Sequence, residues 1–272
     1  MGYNEKSYYD RMSNTMNDKC NTLFPYLYEG SKVLDFGAGK NLSVSNLVKA
    51  FNGTYVAVDN SIQSQQFFEE NGIVCYDSVE DFEDKFDIIF MSSVYHELLS
   101  YLNPLEVAKL ARKLSSLLSD NGKIVIRDWN MLDASKWQKQ DSIIIEPSKS
   151  EEINKWISAL QERGIIEHND RLRIRKVSIE GSRNDLYNIL YHTTWGLSSI
   201  LRESKENYAI PAESLFRYFY NSGLEIDGKE IKWDDEYIKF MSPYFTSYGD
   251  RVLNREEWLS PKVVLTMKKV TK

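Results

Sequence analysis

The sequence is poor in the features that mark secreted, zinc-binding and membrane proteins. Among its 272 residues are two cysteines, Cys20 and Cys75, and neither belongs to a CxxC pair or a zinc-like spacing. We interpret both as reduced, buried thiols. No apolar run approaches the roughly 20 residues of a membrane span, and the N-terminal MGYNEKSYYD lacks the apolar core of a signal peptide. These absences predict a cytoplasmic protein with no membrane partner.

Positive charge is also in deficit. The chain carries 34 lysines and arginines against 40 aspartates and glutamates, which gives a formal net charge of −6. A surface of that sign repels a phosphate backbone unless a local basic patch overrides it, so the charge disfavours nucleic acid as a substrate. Hydrophobic residues make up 42% of the chain, which is ordinary for a globular protein with a full core.

Short apolar runs alternate with helical patterns over the first half of the chain. Five runs predict strands, at residues 32–36, 54–58, 73–76, 86–91 and 123–127. Helical periodicity fills the intervals, for example at residues 104–118. This alternation is typical of βαβ units, and the right-handed crossover rule then predicts a doubly wound α/β sheet whose parallel strands are buried on both faces.

The alternation stops after Asp128 and resumes near the C-terminus. A predicted helix at residues 211–222 and predicted strands at residues 224–233 and 262–268 would complete a mostly parallel, seven-stranded sheet. We therefore interpret residues 1–272 as a single domain.

The intervening segment, residues 131–206, is interpreted as a helical insertion, or lid, after the fifth strand. It contains helical stretches at residues 151–163 and 184–203 and a charged run at residues 171–178. An insertion above the carboxyl edge of the sheet would cover the ligand crevice there. Its aromatic residues fit either a small helical core or a pocket for a substrate: Trp137, Trp156, Tyr187, Tyr191 and Trp195.

A glycine turn follows the first predicted strand in the segment VLDFGAGKN, residues 33–41. Gly37 and Gly39 let the backbone turn tightly and approach a ligand, and the amides of the following helix start can donate hydrogen bonds to it. Taken alone, the turn also fits a simple strand-to-helix connection. Asp59 ends the second strand 24 residues after Asp35, close to the roughly 20 that separate such a turn from an acid that binds ribose hydroxyls.

Polar residues also follow the third and fourth strands. Asp77 and Ser78 could hold an adenine amino group or cap a helix. The segment SSVYHE, residues 92–97, places hydroxyls and a His-Glu pair at the carboxyl end of the fourth strand, where this architecture carries its chemistry. Of the three histidines, only His96 lies at a predicted sheet edge, which favours a functional role over a structural one.

In their order along the chain, VLDFGAGKN, VAVDN, the Asp77-Ser78 edge and FDIIFMSSVYHEL resemble the motifs of class I S-adenosylmethionine-dependent methyltransferases. The resemblance covers residues 32–128. HEL, KIVIRDWNM and TTWG are similar to a poorly characterised bacterial branch of that family. The resemblance implies a Rossmann-like methyltransferase fold, S-adenosyl-L-methionine as cofactor, and methyl transfer as the activity.

The resemblance also implies roles for individual positions. The glycine turn would contact the methionine part of the cofactor, the acid of the second strand its ribose, and the edge of the third strand its adenine. Ser92 would flank the adenosine and the transferred methyl group. The implied cofactor-binding residues are Asp35, Gly37, Ala38, Gly39, Asp59, Asn60, Asp77, Ser78 and Ser92.

Methyl transfer from a sulfonium is an in-line displacement, so alignment of the acceptor can supply much of the catalysis. Oxygen and protonated nitrogen acceptors also need a base, for which His96 is the first candidate. Asp128, just past the fifth strand, is the second catalytic candidate, at the acceptor. The sequence points to no metal site and leaves the oligomeric state open.

Three functions stay open, and the acidic balance and aromatic insertion favour the first, methyl transfer to an oxygen or nitrogen of a small molecule. The second is an RNA or nucleotide methyltransferase, because Arg171, Arg173 and Arg175 share one face of a predicted strand; a solvated edge strand also explains them. The third is a catalytically silent partner subunit, because Lys40 stands where many family members carry a small residue. A nicotinamide dehydrogenase is disfavoured, since GxGxxG spacing would need Gly or Ala in place of Leu42.

Overall fold

The computed structural model describes residues 16–129, 140–166, 172–195, 206–209, 212–232, 241–248, 251–252 and 262–270. The described chain divides into two compact units. The sheet unit draws its residues from Asn4–Asp128, Glu213–Glu230 and Val263–Lys272, and the second unit draws mainly on Trp129–Ala212 and Ile231–Lys262. Within the described ranges, no helix combines the length and the apolar character needed to cross a membrane.

The sheet unit is built on seven strands. They are β1 (Lys32–Phe36), β2 (Thr54–Val58), β3 (Cys75–Tyr76), β4 (Phe86–Ser92), β5 (Leu118–Trp129), β9 (Leu224–Lys232) and β12 (Lys262–Lys269). Their order across the sheet is β3-β2-β1-β4-β5-β12-β9. β1 pairs in parallel with β2 and with β4, and the β2–β3 and β4–β5 pairs are also parallel. The predicted mostly parallel α/β sheet is confirmed.

Helices connect and follow these strands. They are α1 (Met16–Leu23), α2 (Ser43–Ala50), α3 (Ile62–Glu70), α4 (Tyr95–Tyr101), α5 (Pro104–Leu117) and α8 (Ala212–Tyr220). α3 begins where the Ser61 side chain accepts a hydrogen bond from Ser64 N. α5 begins at a capping box, in which Asn103 and Glu106 each accept a hydrogen bond from the other's backbone N–H.

The central strands β1 and β4 of the sheet unit are largely buried on both faces, as parallel strands between helices require. One hydrophobic cluster contains Val33 of β1, Phe90 of β4 and Leu23 of α1. Another contains Ala57 of β2 and Phe68 of α3. This packing fixes the carboxyl ends of β1, β2 and β4 relative to one another, and the polar residues of the candidate site follow those ends.

The second unit contains an antiparallel sheet of five strands. They are β6 (Gln140–Ile145), β7 (Arg173–Ile174), β8 (Ser178–Ser182), β10 (Phe245–Tyr248) and β11 (Arg251–Val252). Their order is β11-β10-β6-β8-β7, and every pair in it is antiparallel. Two helices belong to this unit, α6 (Ser150–Glu162) and α7 (Arg183–Trp195).

The segment 131–206 therefore contains more than the helices predicted for it. The helix expected at residues 151–163 corresponds to α6. α7 covers the described part of the helix expected at residues 184–203, of which residues 196–203 lie outside the described residues. The charged run at 171–178 divides between β7 and the first residue of β8. β6 escaped prediction because QDSIII offers only a short apolar run without alternation. A single domain with an insertion over the acceptor site stays a prediction.

Candidate functional site

The turn between β1 and α2 has the left-handed backbone that its glycines allow. Gly37 and Gly39 have φ angles of 75° and 62°, a region that few other residues adopt. The N–H groups of Gly37 and Ala38 donate to Val58 O at 2.8 and 3.2 Å, which ties the turn to the end of β2. A Cβ on Gly37 would lie 2.5 Å from Val94 Cγ2, whereas one on Gly39 would meet no heavy atom of the described residues other than its chain neighbours within 4 Å. Gly37 is therefore packed tightly against Val94, whereas Gly39 borders open space.

Asp59 lies just past β2 and links the glycine turn to the next crossover. Gly39 N donates to Asp59 Oδ2 at 2.8 Å, and Ser61 N donates to Asp59 Oδ1 at 2.9 Å. The N–H of Asp59 itself donates to Tyr76 O on β3 at 2.9 Å. Each carboxylate oxygen has a second lone pair, so these bonds orient the group and leave it able to accept from a ligand hydroxyl. The neighbouring Asn60 is exposed.

Asp35, near the end of β1, is a buried carboxylate. Tyr55 Oη donates to Asp35 Oδ2 at 2.9 Å. Burial raises the pKa of Asp35 from 3.8 to about 6, against the opposing effects of the Lys19 charge and the Tyr55 hydrogen bond. Lys19, on α1, is also buried, and burial lowers its pKa. Asp35 and Lys19 are thus two buried groups whose opposite charges attract each other.

The two positions that depart from the methyltransferase motif have separate explanations. Asn41 Oδ1 accepts a hydrogen bond from Ser43 N at 2.7 Å and so caps the start of α2. Lys40 is exposed.

Asp77 and Ser78 follow β3 and are both exposed. Among the described residues, no helix lies between β3 and β4, so the alternative that these residues cap a helix is wrong. Glu80 N instead donates to Ser78 Oγ at 3.3 Å in a local turn. Lys113 Nζ on α5 donates to the carbonyl oxygens of Glu80 and Phe82 at 2.6 and 2.9 Å. The loop that carries Asp77 is thereby anchored to α5.

The end of β4 combines backbone strain with an unpaired hydroxyl. Ser93 has a φ of 59°, which is uncommon for a residue other than glycine, and its N–H donates to Arg127 O at 2.7 Å. The buried Ser92 Oγ has no hydrogen-bond partner in the described part of the chain. Arg127 is buried beside it on β5, and its Nε donates to Asp18 Oδ2 on α1 at 2.7 Å. Strain and unpaired buried polar groups concentrate at functional sites.

The two predicted catalytic residues contact each other. Asp128 Oδ1 lies 2.7 Å from His96 Nδ1, and both side chains are buried. Asp128 Oδ2 accepts hydrogen bonds from the backbone N–H groups of Tyr95 and His96 at 2.7 and 3.1 Å. A single carboxylate therefore caps the first turn of α4 and holds the imidazole ring. Their spacing in sequence did not predict this contact, because His96 lies on α4 after β4 and Asp128 lies near the end of β5, 32 residues later.

The aromatic residues expected in the insertion form a core in the second unit. Trp156, Tyr187 and Tyr191 are buried there, and the ring of Trp129 packs at a tilt against that of Tyr191, with the ring centroids 4.5 Å apart. This packing favours the interpretation of these residues as a hydrophobic core. Trp137 and the side chain of Trp195 lie outside the described residues.

Comparison with known proteins identifies the family. Residues 8–177, more than half of the chain, match the family model of the methyltransferase domain. A TehB-like S-adenosylmethionine-dependent methyltransferase from Corynebacterium glutamicum is similar in structure, with 11% identity, a TM-score of 0.50 and 97% of each chain covered. No curated protein matches the chain.

Two further solved structures are similar over nearly the whole chain. One is an S-adenosylmethionine-dependent methyltransferase from Clostridium acetobutylicum, with 11% identity, a TM-score of 0.50, and 98% of this chain and 99% of that chain covered. The other is the CcbJ methyltransferase from Streptomyces caelestis, with 10% identity, a TM-score of 0.51, and coverages of 94% and 95%. At these identities the solved structures establish the fold, and the family model establishes the family. The chain belongs to the methyltransferase domain family and is an S-adenosylmethionine-dependent methyltransferase.

Proposed function

We propose that this methyltransferase acts on an oxygen or nitrogen atom of a small-molecule acceptor, with His96 as its general base. The observation that carries the proposal is the buried pair of His96 and Asp128, whose Nδ1 and Oδ1 atoms lie 2.7 Å apart. This contact favours the tautomer with the proton on Nδ1, so that Nε2 carries the lone pair. A base held in this way can take a proton from a hydroxyl or ammonium group as that group attacks.

The residues at the carboxyl edge of the sheet fit S-adenosylmethionine. When bound, the cofactor supplies a methyl group on a sulfonium, which an acceptor displaces in line. The open turn at Gly39 would admit the methionine part, and Asp59 would accept hydrogen bonds from the ribose hydroxyls. The exposed Asp77 would meet the adenine amino group. Ser92, whose buried hydroxyl has no partner in the described chain, would lie beside the adenosine.

In the proposed reaction, His96 Nε2 receives the acceptor's proton as the new bond to carbon forms and the carbon–sulfur bond breaks. The carboxylate of Asp128 stabilises the imidazolium that results, as the acidic member of a catalytic triad does. Asp128 would thus act through His96 as a positioning residue, in place of the acceptor contact that the sequence suggests.

Two observations support a small-molecule acceptor over RNA. The chain has a net charge of −6. In the predicted arginine strand, Arg175 Nε forms an ion pair with Glu180 Oε1 at 3.2 Å, and Arg173 is exposed on the edge strand β7. Arg171 lies outside the described residues. An edge strand on which a glutamate neutralises one arginine would bind a phosphate backbone only weakly.

The test begins with calorimetric titration of the purified protein with S-adenosylmethionine and with S-adenosylhomocysteine. Protein that binds is then incubated with methyl-labelled cofactor and with phenols, carboxylic acids and amines, followed by total RNA. We expect micromolar binding and label on a small molecule. Label on RNA alone, with strong salt dependence, would replace the small-molecule proposal by the RNA alternative. Binding without transfer to any acceptor would favour the silent partner subunit.

A further inference from the structure

Arg127, near the carboxyl end of β5, is a buried arginine, and only 1% of it is exposed. Arginine is almost never buried to this degree unless its charge is paired. The pairing group is Asp18 on α1, whose Oδ2 accepts a hydrogen bond from Arg127 Nε at 2.7 Å and a second one from Nη2. This ion pair joins α1 to β5 across 109 residues of sequence.

The same arginine also contacts the turn between β4 and α4. Arg127 Nη1 donates to Ser93 Oγ at 3.4 Å, and the carbonyl oxygen of Arg127 accepts the N–H of Ser93 at 2.7 Å. The left-handed backbone of Ser93, with its φ of 59°, persists only where neighbouring groups hold it in place. Arg127 supplies two of the contacts that hold it, one from its side chain and one from its backbone.

The turn at Ser93 connects residues of the candidate site. Ser92, which ends β4, lies opposite Arg127 in the register of the β4–β5 pair. On the other side of Ser93, Val94 packs against Gly37, and α4 then begins with Tyr95 and His96. The backbone angles at Ser93 therefore set the direction in which α4 leaves the strand, and with it the place of the imidazole.

The guanidinium group can transmit an orientation because it is rigid and planar, with its N–H donors in a fixed arrangement. Asp18 binds one edge of this plane, through Nε and Nη2, and Ser93 binds the other amino group, Nη1. Removal of the Asp18 charge would leave a buried guanidinium without its compensating carboxylate. The plane would then lose the contact that fixes its orientation toward Ser93.

We propose that Arg127 is a positioning residue that couples the docking of α1 to the conformation of the turn between β4 and α4, and thereby to Ser92 and His96. The role of those two residues in the reaction rests on the proposed function. The coupling itself is a property of the protein without ligands. Because a coupling free energy is reciprocal, a change that loosens α1 loosens the turn, and a change that loosens the turn loosens α1.

Amide hydrogen exchange in the unliganded protein, followed residue by residue by NMR, tests the coupling from both ends. With Asp18→Asn, we expect the amides of Ser93, Tyr95 and His96 to exchange about tenfold faster or more, the factor that corresponds to one hydrogen bond to a charged group. With Ser93→Ala, we expect the amides of residues 20–23 in α1 to exchange about threefold faster, because the bond from Nη1 is long and therefore weak.

Two controls separate this coupling from a general loss of stability. Asp84 forms an ion pair with Lys32 Nζ at 2.8 Å, at the start of β1, so Asp84→Asn removes a comparable charge pair elsewhere in the sheet unit. Exchange at the turn in Asp84→Asn should equal that of the parent. In an Arg127→Met background the connection is absent, so the addition of Asp18→Asn should no longer change exchange at Ser93.

Faster exchange confined to α1 in Asp18→Asn would show that the ion pair only anchors this helix, and it would overturn the coupling. An effect of Asp18→Asn on the turn that persists in the Arg127→Met background would overturn it as well. If Asp18→Asn does not fold, Ser93→Ala decides, and unchanged exchange in α1 then ends the proposal. These measurements use neither cofactor nor acceptor, so a failure of the proposed function would be seen separately, in the calorimetric and labelling experiments.

Discussion

Asp128 contacts the imidazole Nδ1 of His96 at 2.7 Å with one carboxylate oxygen and accepts the backbone N–H of the same histidine at 3.1 Å with the other. Both the ring and the peptide of His96 are thus held by one side chain. The ring cannot leave this position without the loss of a buried hydrogen bond, which costs about 1–3 kcal/mol. A base that must meet an acceptor in one orientation benefits from such a constraint.

We predict that His96→Ala lowers turnover by about 100-fold or more, because general-base catalysis contributes at least that factor. The affinity for S-adenosylmethionine should stay within about twofold of the parent, since His96 is not among the proposed cofactor ligands. Initial rates and calorimetry measure the two quantities separately. Turnover equal to that of the parent would remove His96 from the chemistry.

The role of Asp128 can be separated from that of His96 by a double variant. Asp128→Asn should lower turnover, because an amide stabilises an imidazolium less well than a carboxylate does. The variant His96→Ala/Asp128→Asn should be no slower than His96→Ala, since residues that act as a unit are not additive. If the loss of turnover in the double variant equals the product of the losses in the two single variants, Asp128 acts independently of the histidine.

For Asp59→Ala we expect the affinity for S-adenosylmethionine to fall by more than about tenfold, the effect of a lost charge-assisted hydrogen bond. The carboxylate also accepts hydrogen bonds from Gly39 N and Ser61 N, so the variant loosens the turn as well. Asp81→Ala, at an exposed acid of the loop after β3, is the control. Calorimetric affinity unchanged by Asp59→Ala would end the ribose assignment.

Asp35 predicts a pH dependence of stability. Because its pKa rises from 3.8 to about 6 on folding, the folded state holds this proton more tightly than the unfolded state. The contribution of Asp35 to the free energy of unfolding is therefore fully present below pH 3.8 and is lost as the pH rises through about 6.

The size of that loss is on the order of 3 kcal/mol, from about 1.4 kcal/mol per pKa unit. The Asp35→Asn variant has no titratable group at position 35, so it serves as the reference for the parent protein. The stability of the parent relative to Asp35→Asn should fall as the pH rises from 4 to 6, measured by denaturant unfolding at each pH. A difference that is constant over this range, or that rises, would contradict a raised pKa.

The glycine turn offers a matched pair of substitutions. Gly37→Ala should lower the free energy of unfolding by about 2 kcal/mol or more, because it combines a left-handed φ with a clash against Val94. Gly39→Ala shares the left-handed φ without that clash, so we expect a loss of about 1 kcal/mol. Adding Val94→Ala should restore part of the stability of Gly37→Ala only. Equal losses in the free energy of unfolding at the two glycines would show that Val94 can move away from a side chain at position 37 without a cost in stability.

Much of the sheet unit could be predicted because residues close together in sequence specify its strands and its glycine turn. β1 and β2 have the predicted bounds, since short apolar runs between a turn and a helix signal a buried parallel strand. The glycine turn and Asp59 also lie close in sequence, and the structure joins them by a hydrogen bond from Gly39 N.

The rest depends on contacts between distant segments. The five-stranded sheet of the second unit pairs β6 with β10, about 100 residues later, and no local pattern announces that pairing. The burial of Lys19 could have been predicted from the helical pattern. Lys19 falls between Met16 and Leu23 at helical spacing, so a charged residue interrupts the apolar stripe of α1. The orientation of His96 by Asp128 required both strand ends in place.

Arg127 and Asp128 are adjacent on β5 but bond to different segments. Arg127 binds Asp18 of α1, 109 residues earlier, and Asp128 binds His96 of α4, 32 residues earlier. Contacts over such separations close late in folding, after the local turns and helices. A nascent chain that lacks β5 has its glycine turn and Asp59 but neither an anchored α1 nor a held imidazole. A single strand, β5, therefore governs both the anchoring of α1 and the orientation of His96.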